Sequence, residues 1–306
     1  MSGDTILVTG AAGWIGRRVA RLIAAKGHRV LALIRPGSPR TAGQCDRQAM
    51  TWLESDLEAP GPLAARLRED PPQVCVHCAW HTEPGRYLHA VENLDSVRSS
   101  VSLLAALRDA GCRRFVGLGT CFEYAFEGVT APLRETARLE PRPLYAACKH
   151  AVHLIAEQMF DDFAWVRLFH LYGPGEARGR LVPHLLDTLL AGQPCPLTSG
   201  TQTRDYMHVD DAAAAIVAVA LSNTRGAINV GSGIPVTVAN LAGMVAELGG
   251  AKALVHLGAI EARPGDPAFA VADVRRLVAL PGWKPQFDLR GGLRDMIASW
   301  SADVTR

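Results

Sequence analysis

The 306-residue sequence has no long apolar run, no block of like charge, no internal repeat and no regular cysteine spacing. Its longest small-apolar stretch, Ala212 to Leu221, is about half of the roughly 20 residues that a membrane-spanning helix needs, so no bilayer partner is expected. Lys and Arg number 32 against 30 Asp and Glu, a formal net charge of +2. With the two signs interspersed there is no broad field to gather nucleic acid, and any anion must be held by a local constellation. Met1 to Gly10 runs straight into strand-like residues, without the basic region, apolar core and cleavage site of a secretory signal, which points to a cytoplasmic protein. Seven cysteines, an odd number, fit buried thiols better than a disulfide framework. Cys75 and Cys78 do form a CxxC, but in a run that reads as a strand, where positions three apart face opposite sides. No metal site is expected there or elsewhere.

What is present alternates. Strand-like runs at Thr5 to Thr9, Arg29 to Ile34, Met50 to Leu53, Val74 to Ala79, Arg114 to Gly119 and Trp165 to Leu171 are separated by helical periodicity at Trp14 to Lys26, Pro62 to Glu69, Tyr87 to Ala110 and Leu144 to Phe160. That alternation predicts an α/β fold, a Rossmann-type doubly wound parallel sheet over about residues 1–173. After Tyr172-Gly173-Pro174 the pattern loosens into a smaller mixed part, 174–306, with segments near 205–230 expected to cross back and complete the first domain. Its helices are read at Arg180 to Ala191, Val209 to Leu221, Val238 to Leu248 and Leu289 to Ser301, and one strand at Ala227 to Val230.

Thr9-Gly10-Ala11-Ala12-Gly13-Trp14-Ile15-Gly16 joins the first strand to the first helix. Gly10 suits a tight turn, Gly13 lets the backbone approach a pyrophosphate, and Gly16 lets helix and sheet pack closely; the helix start then faces phosphates. The spacing is GxxGxxG, not the commoner GxGxxG. The second strand ends Arg35-Pro36-Gly37-Ser38-Pro39-Arg40, with no carboxylate for a ribose hydroxyl. Arg35, Ser38 and Arg40 instead suit an additional phosphate, so NADP(H) is favoured, with NAD(H) the alternative. Trp14, Ile15, Asp56 and Leu57 after the third strand, and Ala79 after the fourth, complete the expected cofactor contacts.

Tyr145 and Lys149 stand four apart on a predicted helix, hence on one face. Bringing a phenol of ordinary pKa near 10 into the neutral range needs roughly 4 kcal/mol of anion stabilisation. An ammonium about 5 Å away supplies on the order of 3 kcal/mol at an effective dielectric of about 20. Thr120, at the end of the fifth strand, is placed to hold the reacting oxygen against Tyr145.

These motifs, with Arg167-Leu168-Phe169-His170-Leu171-Tyr172-Gly173-Pro174, Arg204-Asp205-Tyr206-Met207-His208-Val209-Asp210-Asp211, Asn229-Val230-Gly231-Ser232-Gly233 and Arg263-Pro264-Gly265-Asp266-Pro267, resemble the NAD-dependent epimerase/dehydratase group of extended short-chain dehydrogenases over almost the whole chain. The resemblance implies a nucleotide-linked sugar substrate, catalysis by Thr120, Tyr145 and Lys149, adenine contact at Asp56, and diphosphate or ribose contacts from Arg204 and Arg263. It also implies a homodimer packed through helices 87–110 and 144–160. Alternatively, Arg204 pairs only with Asp205 or Asp210. The paired aspartates Asp210 and Asp211 read as caps of the helix that follows. Cys121 and Phe122 stand where sugar 4,6-dehydratases carry an Asp-Glu pair, and His170 where many relatives carry Asn; these three are candidate substrate contacts, and Glu123 has no assigned role. The expectation is NADPH-dependent reduction of a keto-deoxysugar nucleotide, against a sugar epimerase and, more remotely, a non-catalytic nucleotide-sensing or RNA-associated protein.

Overall fold

The computed structural model describes residues 3–38, 50–57, 61–262 and 265–304. In chain order the strands are β1 Thr5–Thr9, β2 Arg29–Ile34, β3 Met50–Glu54, β4 Val74–His77, β5 Arg114–Thr120, β6 Asp162–Leu168, β7 His170–Tyr172, β8 Cys195–Pro196, β9 Thr203–His208, β10 Gly226–Val230, β11 Pro235–Thr237, β12 Val255–His256 and β13 Phe269–Ala270. The helices are α1 Gly16–Ala25, α2 Gly61–Glu69, α3 Asn93–Asp109, α4 Leu144–Met159, α5 Leu181–Leu190, α6 Val209–Ala220, α7 Val238–Leu248, α8 Arg275–Val278 and α9 Leu289–Val304.

Seven parallel strands form the main sheet in the order β10-β6-β5-β4-β1-β2-β3. Its strands are apolar on both faces because helices cover both. Ile6 and Val8 of β1 join the core under α1 and α6, while Leu7 between them joins the core under α2, α3 and α4. Each such side chain, fully buried, contributes about 1.5–3 kcal/mol. Cys75 and Cys78 divide in the same way, Cys75 into one core and Cys78 against the other.

The run read as one strand from Trp165 to Leu171 is two. Phe169 N–H still bonds Val230 O at 3.0 Å, but His170 leaves the main sheet and pairs with Tyr206, so β7 joins β9, β11 and β13 in a second sheet. The β9 strand itself carries alternating charges and gave no strand signal. The helix read from Tyr87 starts only at Asn93. Before it, the chain turns, Asn93 Nδ2 donates to Tyr87 O and Ala90 O, and Leu88 O accepts Tyr145 N–H at 3.0 Å. A carbonyl spent on the first turn of α4 is lost to a helix of its own.

Candidate active site

Outside the carboxyl ends of β1, β4 and β5 lies a cleft of about 2100 Å3 between the two sheets. The order of the main sheet reverses between β1 and β4, the place where open α/β sheets leave a crevice. Gly10, Gly13, Trp14, Ile15, Gly16, Arg35, Ser38, Asp56, Leu57, Ala79, Thr120, Cys121, Phe122, Tyr145, His170 and Arg204 all line it. Lys149 stands behind the wall, only 3% exposed. Arg40 and Arg263 lie outside the described residues.

The β1 end is shaped by main chain. Gly10 has φ of 63°, and a Cβ there would come within 2.9 Å of the Ala79 backbone; a Cβ on Gly16 would sit 2.2 Å from Gly10 O. Tight turn and helix start thus meet the strand end at Ala79 with no room for side chains. Thr9 Oγ1 accepts Ala79 N–H at 3.1 Å and bonds His77 Nδ1 at 2.8 Å, and His77 Nε2 bonds Ser100 Oγ at 2.9 Å. Burial, reinforced by Lys149, pushes His77 down to about 3, so it braces as a neutral ring. Trp14 Nε1 and Arg18 both donate to Pro174 O, at 2.8 and 2.7 Å, tying the loop after β7 to the glycine turn. Exposed Arg35 and half-buried Ser38 follow β2 at the same end, across from Asp56. This glycine-lined helix start, opening into a cleft that continues to Tyr145, fits a dinucleotide pyrophosphate.

Midway, Thr120 ends β5 and Tyr145 opens α4. Burial pushes the Tyr145 phenol up, Tyr87 adds to that, and the Arg180 guanidinium opposes it. The expected acidification by Lys149 is not what this geometry delivers. Lys149 Nζ lies 6.0 Å from the Tyr145 ring centroid, donates to Leu118 O at 2.7 Å, and sits 3.8 Å from the centroid of the Trp80 ring. Burial holds its pKa down to about 7, against Glu123 and Cys78. The cation is therefore pinned by a carbonyl and an indole face, which the sequence did not reveal.

At the β9 end, Arg204 is buried and pairs with Asp266 at 2.6 Å. It does not pair with Asp205 or Asp210. Asp205 accepts from Ser232 N and Oγ, Gly233 N and Ala272 N, while Asp210 binds Arg18. His170 packs between Phe122, 6.3 Å away, and Tyr206, 5.9 Å away. Burial first, then Arg204 and Arg180, push it down to about 3.

A profile of the NAD dependent epimerase/dehydratase family matches residues 6–231. The chain belongs to that family. Among its relatives is a dTDP-4-dehydro-6-deoxy-D-allose reductase from a Streptomyces species, 28% identical over 98% of this chain and 96% of the relative. A UDP-glucose 4-epimerase from Rhizobium leguminosarum bv. trifolii is also 28% identical, over 94% of this chain and 95% of its own. In structure the chain is similar to the Thermus thermophilus UDP-glucose 4-epimerase in complex with NAD, with a TM-score of 0.81 and 25% identity, covering 97% and 99% of the two chains. As a member of the epimerase/dehydratase family, the protein is an enzyme with the Rossmann-type fold of that group. No helix among the described residues is long and apolar enough to cross a membrane.

Asp210 and Asp211 depart from the capping role read from the sequence, and Glu123, which had none, acquires one. Asp210 and Asp211 do not cap α6, whose cap is His208, accepting Asp210 N–H. Asp211 instead accepts Gln286 N–H and Phe287 N–H, fastening the segment before α9. Glu123, left unassigned, is fully buried and accepts from Thr120 N, Trp165 Nε1 and Arg167 Nε, each at 2.9 Å. Burial opposes its charge, yet His153, Arg167, Trp165 and Thr120 outweigh that and hold the carboxyl below the usual range. Glu123 thus fixes the backbone of Thr120 from behind.

Proposed function

We propose that the enzyme is an NADPH-dependent reductase of a keto-deoxysugar nucleotide. The observation that carries this reading is what surrounds Thr120. Cys121, next in the chain, is buried with its thiol pushed up to about 12 by burial. Phe122 is apolar, and the carboxyl at Glu123 is locked by three donors. An elimination of water from a sugar needs an acid and a base beside the reacting carbons, and none of these three serves. Redox exchange at one carbon needs only a proton donor and a hydride partner.

A nicotinamide dinucleotide bound along the cleft supplies the hydride chemistry. In this reading Tyr145 passes a proton to the carbonyl oxygen, Thr120 Oγ1 orients that oxygen, and Lys149, pinned on Leu118 O and the Trp80 ring, supports the wall behind the phenol. Arg204, held by Asp266 and Thr203 O, offers the remaining donors of its planar fork to the substrate diphosphate. NADP is favoured because Arg35 and Ser38 stand at the end of β2, where no carboxylate stands among the described residues that follow it, 35–38. The Streptomyces reductase among the relatives supports the substrate class.

The test is an absorbance assay with dTDP-4-dehydro-6-deoxy-D-allose, the sugar nucleotide in the name of the Streptomyces relative, and either NADPH or NADH. Stoichiometric oxidation of the nicotinamide, with NADPH preferred, is the expected result. Isomerisation of UDP-glucose, offered in a parallel reaction, with no net change in the nicotinamide would replace the reductase by an epimerase, the activity named for the Rhizobium relative.

A further inference from the structure

Among the described residues, eight buried side-chain atoms lack a hydrogen-bond partner, and four of them, on His81, His170, Glu176 and Gln202, belong to residues lining the cleft. Buried polar groups are otherwise nearly always paired, because leaving one unpaired costs about 1–3 kcal/mol. Glu176 is the most demanding of the four. It is 6% exposed, its Oε2 has no partner, and it lies in the loop that Trp14 and Arg18 clip to the glycine turn through Pro174.

Its neighbours connect it to the reacting centre through Arg180 and Tyr87. The Tyr145 ring meets the edge of Tyr87 at 4.9 Å, and the Arg180 guanidinium sits 5.1 Å from the Tyr87 ring centroid. Arg180 is the cation that acts on Glu176, and Glu176 in turn acts on Tyr206, whose ring neighbours His170. These side chains run along one wall from Tyr145 towards Arg204. A sugar whose reacting oxygen reaches Tyr145 must present its other oxygens to that wall.

We propose that Glu176 is a specificity-determining residue that hydrogen-bonds an oxygen of the substrate's sugar, an inference that rests on the reading of the cleft as a nucleotide-sugar site. Burial pushes its carboxyl up to about 8, against Arg180 and the Gly173 backbone. At neutral pH it is therefore a donor as well as an acceptor, and it adds no negative charge beside a dianionic diphosphate. The titratable groups that act on it or on its neighbours are Arg180 at the start of α5, Tyr206 of β9, His170 of β7 beside Tyr206, and Arg17 of α1, which reaches the preceding Gly175. Burial holds Tyr206 up and His170 down to about 3, so neither changes charge near pH 8. Lys149 does titrate near 7, but it is common to every variant compared.

The experiment compares wild type, Glu176→Gln and Glu176→Leu. It uses KM and kcat for dTDP-4-dehydro-6-deoxy-D-allose with NADPH from about pH 6.5 to 9.5, the Kd of free dTDP, and the Tm as a check on folding. In wild type, KM should rise about tenfold through the alkaline limb as the carboxyl ionises. Glu176→Gln should keep the neutral KM and lose the alkaline rise. Glu176→Leu should raise KM about tenfold at all pH values, change kcat less, and leave dTDP binding unaltered. An unchanged KM in Glu176→Leu, or an alkaline rise that survives in Glu176→Gln, overturns the assignment. Equal weakening of dTDP moves Glu176 to the diphosphate and overturns it too. If wild type binds neither dTDP nor the sugar nucleotide, the functional reading fails first and takes this assignment with it.

Discussion

At the β1 end of the cleft the wall is main chain, drawn together so tightly that a Cβ at Gly10 or Gly16 would strike backbone. At the β9 end it is side chains, among them Glu176, His170 and Gln202, each with a buried polar atom unpaired. Behind the first surface the side chains are braced within the fold, as with Thr9, His77 and Ser100. The second is left open for hydrogen bonds from outside. A main-chain cradle suits a group shared by many enzymes, such as a pyrophosphate, because backbone N–H groups recognise charge and shape and do not depend on neighbouring side chains. Unpaired side chains suit the part of the ligand that differs, since a site built to hydrogen-bond particular oxygens rejects ligands without them.

Tyr145 joins the two ends, so its loss should be felt most. Tyr145→Phe should lower kcat roughly 10²- to 10⁴-fold while leaving dinucleotide affinity unchanged, as measured by steady-state turnover and fluorescence titration. Turnover at the wild-type rate would remove Tyr145 as the proton donor. At the main-chain end, Gly16→Ala should cost about 1–3 kcal/mol of stability in denaturant unfolding and weaken dinucleotide binding, because the new methyl meets Gly10 O. A Gly16→Ala enzyme with wild-type stability and affinity would show that this end yields as readily as the other. The smallest effect is expected at Arg35, which is exposed. Arg35→Ala should weaken NADP by about tenfold and leave NAD unchanged, and equal losses for both would remove Arg35 from cofactor discrimination.

The sequence alone determined whatever depends on neighbours along the chain. The strand, glycine turn and helix around Gly10 to Gly16 are a local pattern, and Tyr145 and Lys149 share a face because a helix repeats every 3.6 residues. The parallel sheet followed from runs apolar on both faces, each too short to be a helix. Tertiary structure decided what depends on partners distant in sequence. The apolar texture continues through Phe169, so nothing local marked the break; β10 takes one side of it and β9 the other. Glu123 reads as an acid beside Thr120 until Trp165 and Arg167 are seen to hold it. Lys149 reads as the partner of Tyr145 until Leu118 O and Trp80 are found around it. Spacing fixes which side chains share a face. Charge state and hydrogen-bonding capacity depend on burial and on atoms brought close by folding, and these a sequence does not display.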